Sequence, residues 1–144
     1  MERHVHNARS VAAFLESHQR ASNVTYPGLP SSKYAPLVDK YLPRGAGAVF
    51  SFDCRGGRAA GQDFIRGVTL WSHLANVGDS KSLIIHPAST THRQLNDEEL
   101  SAAGVGPGTI RLSVGTEAID DLLWDLEQGF ASAATTASTE VGTI

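Results

Sequence analysis

The sequence feature that most constrains the fold is a one-sided apolar stripe over residues 117–130. Its apolar members recur at the spacing of one helix face: Ile119, Leu122, Leu123, Leu126 and Phe130. Acidic residues in the first turns, among them Glu117, suit the positive end of the helix dipole. A helix with a single apolar stripe has to bury it against a second layer, so the stripe predicts a layered domain.

Short strand-like segments supply that second layer. Residues 109–114 alternate, with Ile110, Leu112 and Val114 on one side and Arg111 on the other. Residues 49–54 form an apolar run bounded by glycines, residues 82–85 form another that stops before Pro87, and residues 24–26 could add a short strand. These segments predict a small sheet.

Further helices are predicted over residues 3–18, 34–42 and 58–66, and from Asn96 as N-cap to Gly104 as the left-handed stop. Helices and strands then alternate along the chain. We predict an α/β protein of the α+β two-layer type, with a small mixed or antiparallel sheet and helices on one face. Residues 132–144 are Ala, Ser, Thr and Gly with little to bury, which predicts a flexible tail.

Composition narrows the class of protein. The chain has 144 residues, enough for one domain, and a net charge of -3, which argues against nucleic-acid or polybasic membrane partners. No apolar run approaches a membrane span, and the single cysteine excludes an internal disulfide and any zinc site with two thiolates. We therefore expect a cytoplasmic location.

Several residues that suggest chemistry have simpler interpretations. The six histidines lack carboxylates or thiols at ligand spacing, so no metal site is expected. Cys54 ends an apolar strand and is expected to be a buried small hydrophobe. Lys33 begins an amphipathic helix beside polar residues, which favours solvent exposure over a desolvated Schiff-base pocket. Residues 104–108 follow a helix and precede a strand, so a turn is expected and not a phosphate loop.

Arg111 is the strongest candidate for a binding residue. A guanidinium held by a rigid strand can form two parallel hydrogen bonds with a carboxylate. On the pattern alone, an exposed cross-strand ion pair is an open alternative. Two polar loops, around residues 74–82 and 86–92, flank the apolar strand at 82–85 and are a second place where a site could form.

Several motifs, in order, resemble the pyridoxal-phosphate (PLP) enzymes of cysteine and methionine metabolism, and within them the O-acetylhomoserine sulfhydrylases. The resemblance covers residues 1–130. The motifs that carry it are Tyr26-Pro27-Gly28-Leu29-Pro30, Lys40-Tyr41-Leu42-Pro43, Asn76-Val77-Gly78-Asp79, His86-Pro87-Ala88-Ser89-Thr90-Thr91-His92 and Arg111-Leu112-Ser113-Val114-Gly115-Thr116-Glu117.

The resemblance implies that residues 1–131 are the C-terminal small domain of a fold-type-I PLP enzyme. The family's cofactor lysine segment is absent here, so no catalytic or cofactor-binding residue is expected in this chain, and PLP is expected in the full-length parent. The implied partners are the parent's N-terminal PLP domain, the carboxylate of an amino-acid substrate and further copies of the chain. An excised or truncated chain of this kind is expected to be inactive by itself.

The implied reaction replaces the γ-acetoxy group of O-acetylhomoserine with a sulfur nucleophile. Arg111 matches the family arginine that binds the substrate α-carboxylate, Asn76 matches a position that assists it, and Thr91 is a weaker candidate. Cystathionine synthases or lyases, methionine γ-lyase and a non-catalytic carboxylate- or protein-binding module are the alternatives.

The face that packs against the PLP domain in the parent is also expected to be apolar. The N-terminal helix, broadened by Val11 and Phe14, is expected to expose an apolar patch through which the chain forms a symmetric dimer.

Overall fold

Helices and strands alternate along the chain. The computed structural model describes the backbone of residues 1–139 and the side chains of residues 1–134. The order is α1 (Glu2–Ser17), β1 (Ala21–Ser22), α2 (Ala35–Tyr41), β2 (Val49–Cys54), α3 (Gly57–Gly67), β3 (Leu83–Ile85), α4 (Asp97–Ala102), β4 (Thr109–Ser113) and α5 (Ile119–Thr139), with a short 3₁₀ turn at Pro87–Ser89 after β3. This is the alternation that the sequence predicts. No helix in the described part is both long and apolar enough to cross a bilayer.

The four strands form one open sheet in the order β1-β2-β4-β3, and every neighbouring pair is antiparallel. Of the two predicted alternatives, a mixed or an antiparallel sheet, the structure shows the antiparallel one. In β2 burial alternates along the strand, with Phe50, Phe52 and Cys54 buried and the residues between them half-buried. Strand alternation thus separates a core-facing side of the sheet from a second side.

Helices α1, α3 and α5 cover the core-facing side of the sheet. Their buried side chains and those of the central strands belong to one apolar cluster. At its centre Phe64 of α3 packs 4.7 Å from Phe130 of α5, and both contact Phe52 of β2, with ring centroids 5.6 and 5.9 Å away. Packing of aromatic rings edge to face adds to the stabilisation from burial itself.

Both predicted caps of α4 are confirmed. The Asn96 side chain accepts a hydrogen bond from the Glu99 N–H at 2.9 Å, and the Glu99 carboxylate accepts one from the Asn96 N–H at 2.9 Å. Gly104 follows the helix with a φ of +76°, the left-handed conformation that glycine adopts without steric cost. The turn predicted for residues 104–108 then leads directly into β4.

Three boundaries differ from the predictions. The first strand lies at Ala21–Ser22 and not at 24–26, because Asn23 turns the chain with a φ of +50°. Helix α5 begins at Ile119 and not at 117. The Glu117 carboxylate precedes the helix and accepts a hydrogen bond from the Ser82 N–H. The helix also continues to Thr139, past residue 132 where the predicted tail begins, and Ala133 is buried. That the tail is flexible stays a prediction. The rest of that predicted tail, 140–144, lies outside the described residues.

Helix α1 does not expose the apolar patch that was predicted for it, whereas α2 does expose apolar side chains. Val11 is fully buried, with 0% of its surface exposed, and Phe14 packs against the core. On α2, by contrast, Leu37 and Tyr41 are 48% and 64% exposed. The prediction failed because α1 spans the sheet next to α5, where its whole stripe finds partners, whereas no residue of α2 is buried.

Candidate functional site

Strand β4 carries Arg111 onto the side of the sheet opposite α1, α3 and α5, here called the open face. Ile110 and Leu112 on either side of Arg111 are fully buried in the core, so alternation turns Arg111 the other way, as predicted. Register places Ser51 of β2 opposite Arg111 on one side and Ile85 of β3 opposite it on the other. Arg111 therefore lies in the middle of the sheet, between a hydroxyl and an apolar side chain.

The Arg111 guanidinium is free to bind a ligand. Arg111 is half-buried, and it forms no hydrogen bond or ion pair with any residue that the structure describes. A partly desolvated guanidinium with five unused donors is costly unless it gains an acceptor. A carboxylate, which accepts two parallel hydrogen bonds from the fork, is the acceptor that matches this geometry best.

An acidic residue that is diagonal to Arg111 in the strand register is already engaged. Asp53 of β2 faces Thr109 of β4 in register. Its carboxylate accepts hydrogen bonds from the Thr109 hydroxyl at 2.5 Å and from the Asn23 side-chain amide at 2.7 Å. These contacts also show directly that Asp53 and Thr109 share the open face.

One end of the open face is bordered by the polar loop 73–81, and this loop is firmly anchored. At its end Ser82 is fully buried, and the Glu117 carboxylate accepts hydrogen bonds from the Ser82 N–H at 2.7 Å and from its hydroxyl at 2.8 Å. The same hydroxyl accepts the Gly115 N–H at 2.8 Å. A Cβ on Gly115 would lie 2.3 Å from the Ser80 carbonyl oxygen, so only glycine allows this close approach.

Helix α1 holds the same region from the other side. The amide of the buried Asn7 side chain donates to the carbonyls of Gly115 at 3.1 Å and Glu117 at 3.0 Å. His4 forms a hydrogen bond through Nε2 with the Asp79 carbonyl oxygen at 3.0 Å. These bonds tie the end of the loop, residues 79–82, both to the segment after β4 and to α1.

A pocket of about 240 Å³ lies between this loop and the central strands. Val77 and Gly78 of the loop line it together with Val49 of β2 and Ser113 of β4. Both strand residues are two positions from a residue of the Ser51–Arg111 pair, so the pocket adjoins the open face. A larger groove of about 940 Å³ lies elsewhere, between the start of α1 and residues 41–47, and none of the predicted site residues lines it.

The structure places Asn76 and Thr91 in the two loops that join opposite ends of β3, whose Ile85 pairs with Arg111. Both residues are exposed. The Asn76 side-chain oxygen Oδ1 accepts the Val77 N–H at 2.8 Å, and the Thr91 hydroxyl contacts His92 Nδ1 at 2.8 Å. Within the described residues, no hydrogen bond joins either side chain to Arg111.

The second loop is anchored by His86, which is 1% exposed. Its Nε2 lies 2.7 Å from the Pro107 carbonyl oxygen and its Nδ1 lies 2.9 Å from the Ser89 hydroxyl. Since a carbonyl can only accept, Nε2 carries the proton and Nδ1 accepts from Ser89. Burial lowers the pKa of His86 below 6.5, and the nearby Arg58 guanidinium lowers it further against the opposing effect of the Pro107 hydrogen bond.

Nucleophiles and cofactor lysines do not fit a catalytic role in this chain. Cys54 is buried, as predicted, and burial raises the pKa of its thiol to about 11. The three lysines, at positions 33, 40 and 81, are all exposed. A lysine that holds PLP needs a desolvated pocket to lower its pKa, so these residues do not fit a covalent PLP site. Within residues 1–139, no three His, Cys, Asp or Glu side chains are grouped to hold a metal ion.

An antiparallel sheet covered by helices on one side, with a half-buried arginine on the other, defines the class: an α+β two-layer domain whose open face carries an arginine with no partner among the described residues. The profile of the Cys/Met metabolism PLP-dependent enzymes matches residues 1–131. The chain belongs to this family, as its motifs predicted.

Named relatives and solved structures agree with this assignment. The chain is 53% identical over 129 residues to the O-acetyl-L-homoserine sulfhydrylase of Leptospira meyeri, covering 89% of this chain and 29% of the relative. It is 48% identical over 133 residues to the homocysteine synthase of Schizosaccharomyces pombe, covering 92% and 31%. The chain thus spans about a third or less of these relatives.

Two solved structures share the fold. An O-acetylhomoserine (thiol)-lyase from Campylobacter jejuni, which carries a pyridoxyl-lysine monophosphate, superposes with a TM-score of 0.82 at 46% identity, over 91% of this chain and 31% of that one. A cystathionine γ-synthase from Xanthomonas oryzae, in complex with cystathionine, gives 0.81 at 36% identity, over 94% and 35%. The predicted fold of PLP-dependent fold-type-I enzymes is confirmed.

Sequence reasoning missed two networks near the site. The sequence pattern assigns Glu117 to the positive end of the helix dipole, whereas its carboxylate accepts hydrogen bonds from Ser82 at the end of the loop 73–81. The engagement of Asp53 by Asn23 and Thr109 was also missed. The polar position of Asp53 and Thr109 in alternating strands was a usable signal, but their pairing depends on the strand register.

Proposed function

We propose that this chain is the substrate-binding C-terminal domain of a PLP-dependent O-acetylhomoserine sulfhydrylase. The parent enzyme would replace the γ-acetoxy group of O-acetyl-L-homoserine with a sulfur nucleophile. Support comes from relatives named O-acetyl-L-homoserine sulfhydrylase, which are 44% and 53% identical to the chain. In such an enzyme PLP supplies the stabilisation of negative charge on the amino acid.

The observation that carries the proposal is Arg111. Its guanidinium is half-buried in the middle of a rigid sheet and has no partner in the described part of the chain. A substrate carboxylate bound there would be oriented by two parallel hydrogen bonds. Holding the α-carboxylate fixes where the γ-carbon lies relative to the reacting groups, and that orientation accounts for much of the advantage of a bound over a free substrate.

Asn76 and Thr91 have smaller proposed roles. Asn76 lies in the anchored loop that lines the pocket next to the open face, where its amide can contact the same carboxylate after a change of side-chain rotamer. Thr91 lies in the loop beyond His86 and would form part of the wall of the site.

Kinetics of the full-length enzyme test the role of Arg111. We expect Arg111→Ala to lower kcat/KM for O-acetyl-L-homoserine at least tenfold, because a hydrogen bond to a charged group contributes about 1.5–3 kcal/mol. PLP loading, measured by absorbance, should not change. Arg111→Lys should recover little of the loss, because a point charge cannot reproduce the fork.

Arg66→Ala is the matched control. Arg66 lies on α3, on the opposite side of the sheet, where its exposed side chain pairs with the half-buried Asp63. This variant should retain wild-type kinetics. If Arg111→Ala also retains them, Arg111 does not bind substrate and the proposal is wrong.

A cystathionine γ-synthase is the second candidate, because a solved enzyme of that name is structurally almost as similar to the chain. The two activities differ in the sulfur nucleophile. Comparing sulfide with cysteine as the co-substrate, at equal O-acetyl-L-homoserine, distinguishes them: a sulfhydrylase prefers sulfide, and a γ-synthase prefers cysteine.

The same proposal includes a cytoplasmic location, an N-terminal PLP domain in the parent and assembly of several copies. The relatives are about three times longer than the matched segment, which leaves room for a separate cofactor domain.

A further inference from the structure

Asp53 lies within reach of Arg111 but is not paired with it. The register pairs Asp53 with Thr109 and Ser51 with Arg111, so Asp53 and Arg111 are diagonal neighbours on the open face. Diagonal positions in an antiparallel pair are about 7–8 Å apart, a distance that the long arginine side chain can span. An ion pair between the two would occupy the guanidinium that the proposed function needs.

The Thr109 hydroxyl occupies one oxygen of the Asp53 carboxylate. The Thr109 hydroxyl accepts the Gly106 N–H at 2.8 Å, so its own proton is free to donate to Asp53 at 2.5 Å. This short, charge-assisted hydrogen bond holds one carboxylate oxygen.

Asn23 holds the other oxygen through its side-chain amide at 2.7 Å. Asn23 directly follows β1, whose Ser22 pairs with Asp53, and it has a φ of +50°. Asparagine tolerates this left-handed conformation better than most residues. The turn therefore places the amide beside Asp53.

We propose that Asn23 and Thr109 are positioning residues that hold Asp53 away from Arg111 and so keep the guanidinium free for the substrate carboxylate. This inference rests on the proposed function of Arg111 and adds a specific device to it. Without the two donors, Asp53 would turn toward Arg111 and compete with substrate.

The test is a set of variants of the full-length enzyme. Asn23→Gly combined with Thr109→Val removes both donors without straining the backbone at position 23. We expect KM for O-acetyl-L-homoserine to rise about fivefold or more, with kcat nearly unchanged, because Asp53 competes with substrate before the chemical step. Adding Asp53→Asn should return KM to within about twofold of wild type, since the neutral amide keeps the size but loses the charge.

The rescue separates competition from structural damage, because a merely misfolded sheet would not recover when Asp53 is also changed. If the double variant does not fold, the single variants Thr109→Val and Thr109→Ser can be compared instead. Thr109→Ser keeps the hydroxyl and should retain the wild-type KM, whereas Thr109→Val should raise it.

The outcomes distinguish the two proposals. If Arg111→Ala raises KM but the Asn23 and Thr109 variants do not, or if Asp53→Asn fails to restore KM, the positioning role is wrong and the proposed function stands. If Arg111→Ala itself leaves kcat/KM unchanged, the proposed function fails.

Discussion

At the scale of single residues, burial changes the pKa of His86 between the unfolded and the folded chain. His86 is almost completely buried and forms hydrogen bonds as the neutral tautomer with Pro107 and Ser89. Burial lowers its pKa below 6.5 in the folded protein. The unfolded chain therefore binds a proton at His86 more readily than the folded chain does.

The resulting prediction is a loss of stability on acidification. As pH falls below about 6.5, the unfolded state takes up the proton first, so the free energy of unfolding decreases, by at most about 1.4 kcal/mol per pH unit for one proton. The decrease continues until the folded-state pKa is reached. Chemical denaturation between pH 7.5 and 5 measures this slope.

His86→Gln should flatten the slope, while His73→Gln, at an exposed position, should leave it unchanged. Equal slopes for wild type and His86→Gln would show that another group causes the pH dependence.

At the scale of elements, helix α5 holds the segment after α3 through one buried carboxylate. Asp125 is fully buried and accepts hydrogen bonds from the backbone N–H groups of Thr69, Leu70 and Trp71, and from the Thr69 hydroxyl, at 2.8 to 3.2 Å. Trp71 in turn donates through Nε1 to the Leu122 carbonyl oxygen at 3.3 Å. The carboxylate thus connects a helix to a loop that has no regular structure of its own.

We expect Asp125→Ala to lower the free energy of unfolding by about 2–3 kcal/mol, because several backbone donors lose their acceptor at once. Denaturant titration of the chain measures the loss. Asp121→Ala, one turn earlier on the same helix and exposed, should cost less than about 1 kcal/mol. Equal losses for the two variants would mean that helix charge matters and the network does not.

Helices and strands could be predicted from sequence where they depend on neighbouring residues alone, through the spacing of apolar side chains or a capping residue. The alternation around Arg111 and the Asn96 cap are of this kind, and both are confirmed. Contacts between distant residues could not be predicted, because the bonds of Asp125 with Thr69 and of Asp53 with Asn23 depend on how elements pack. The exposure of α2 was missed for the same reason: its apolar stripe is as regular as that of α1, and only the packing shows which stripe is covered.

At the scale of the whole molecule, the sheet has two chemically different sides. Helices α1, α3 and α5 bury one side in a continuous apolar core. The open face carries Arg111, the engaged Asp53 and a pocket bordered by an anchored loop. Helix α2 exposes apolar side chains, and self-association of the chain stays a prediction.

The central claim is that Arg111 binds the α-carboxylate of the substrate. Competitive inhibition of the full-length enzyme by L-homoserine and by its uncharged carboxamide tests it most directly. Wild-type enzyme should bind the acid about tenfold or more tightly than the amide, because only the acid has a carboxylate to accept charge-assisted hydrogen bonds from Arg111. Arg111→Ala should lose most of that preference, because the variant lacks the guanidinium that donates them. A preference of the same size in Arg111→Ala would contradict the account.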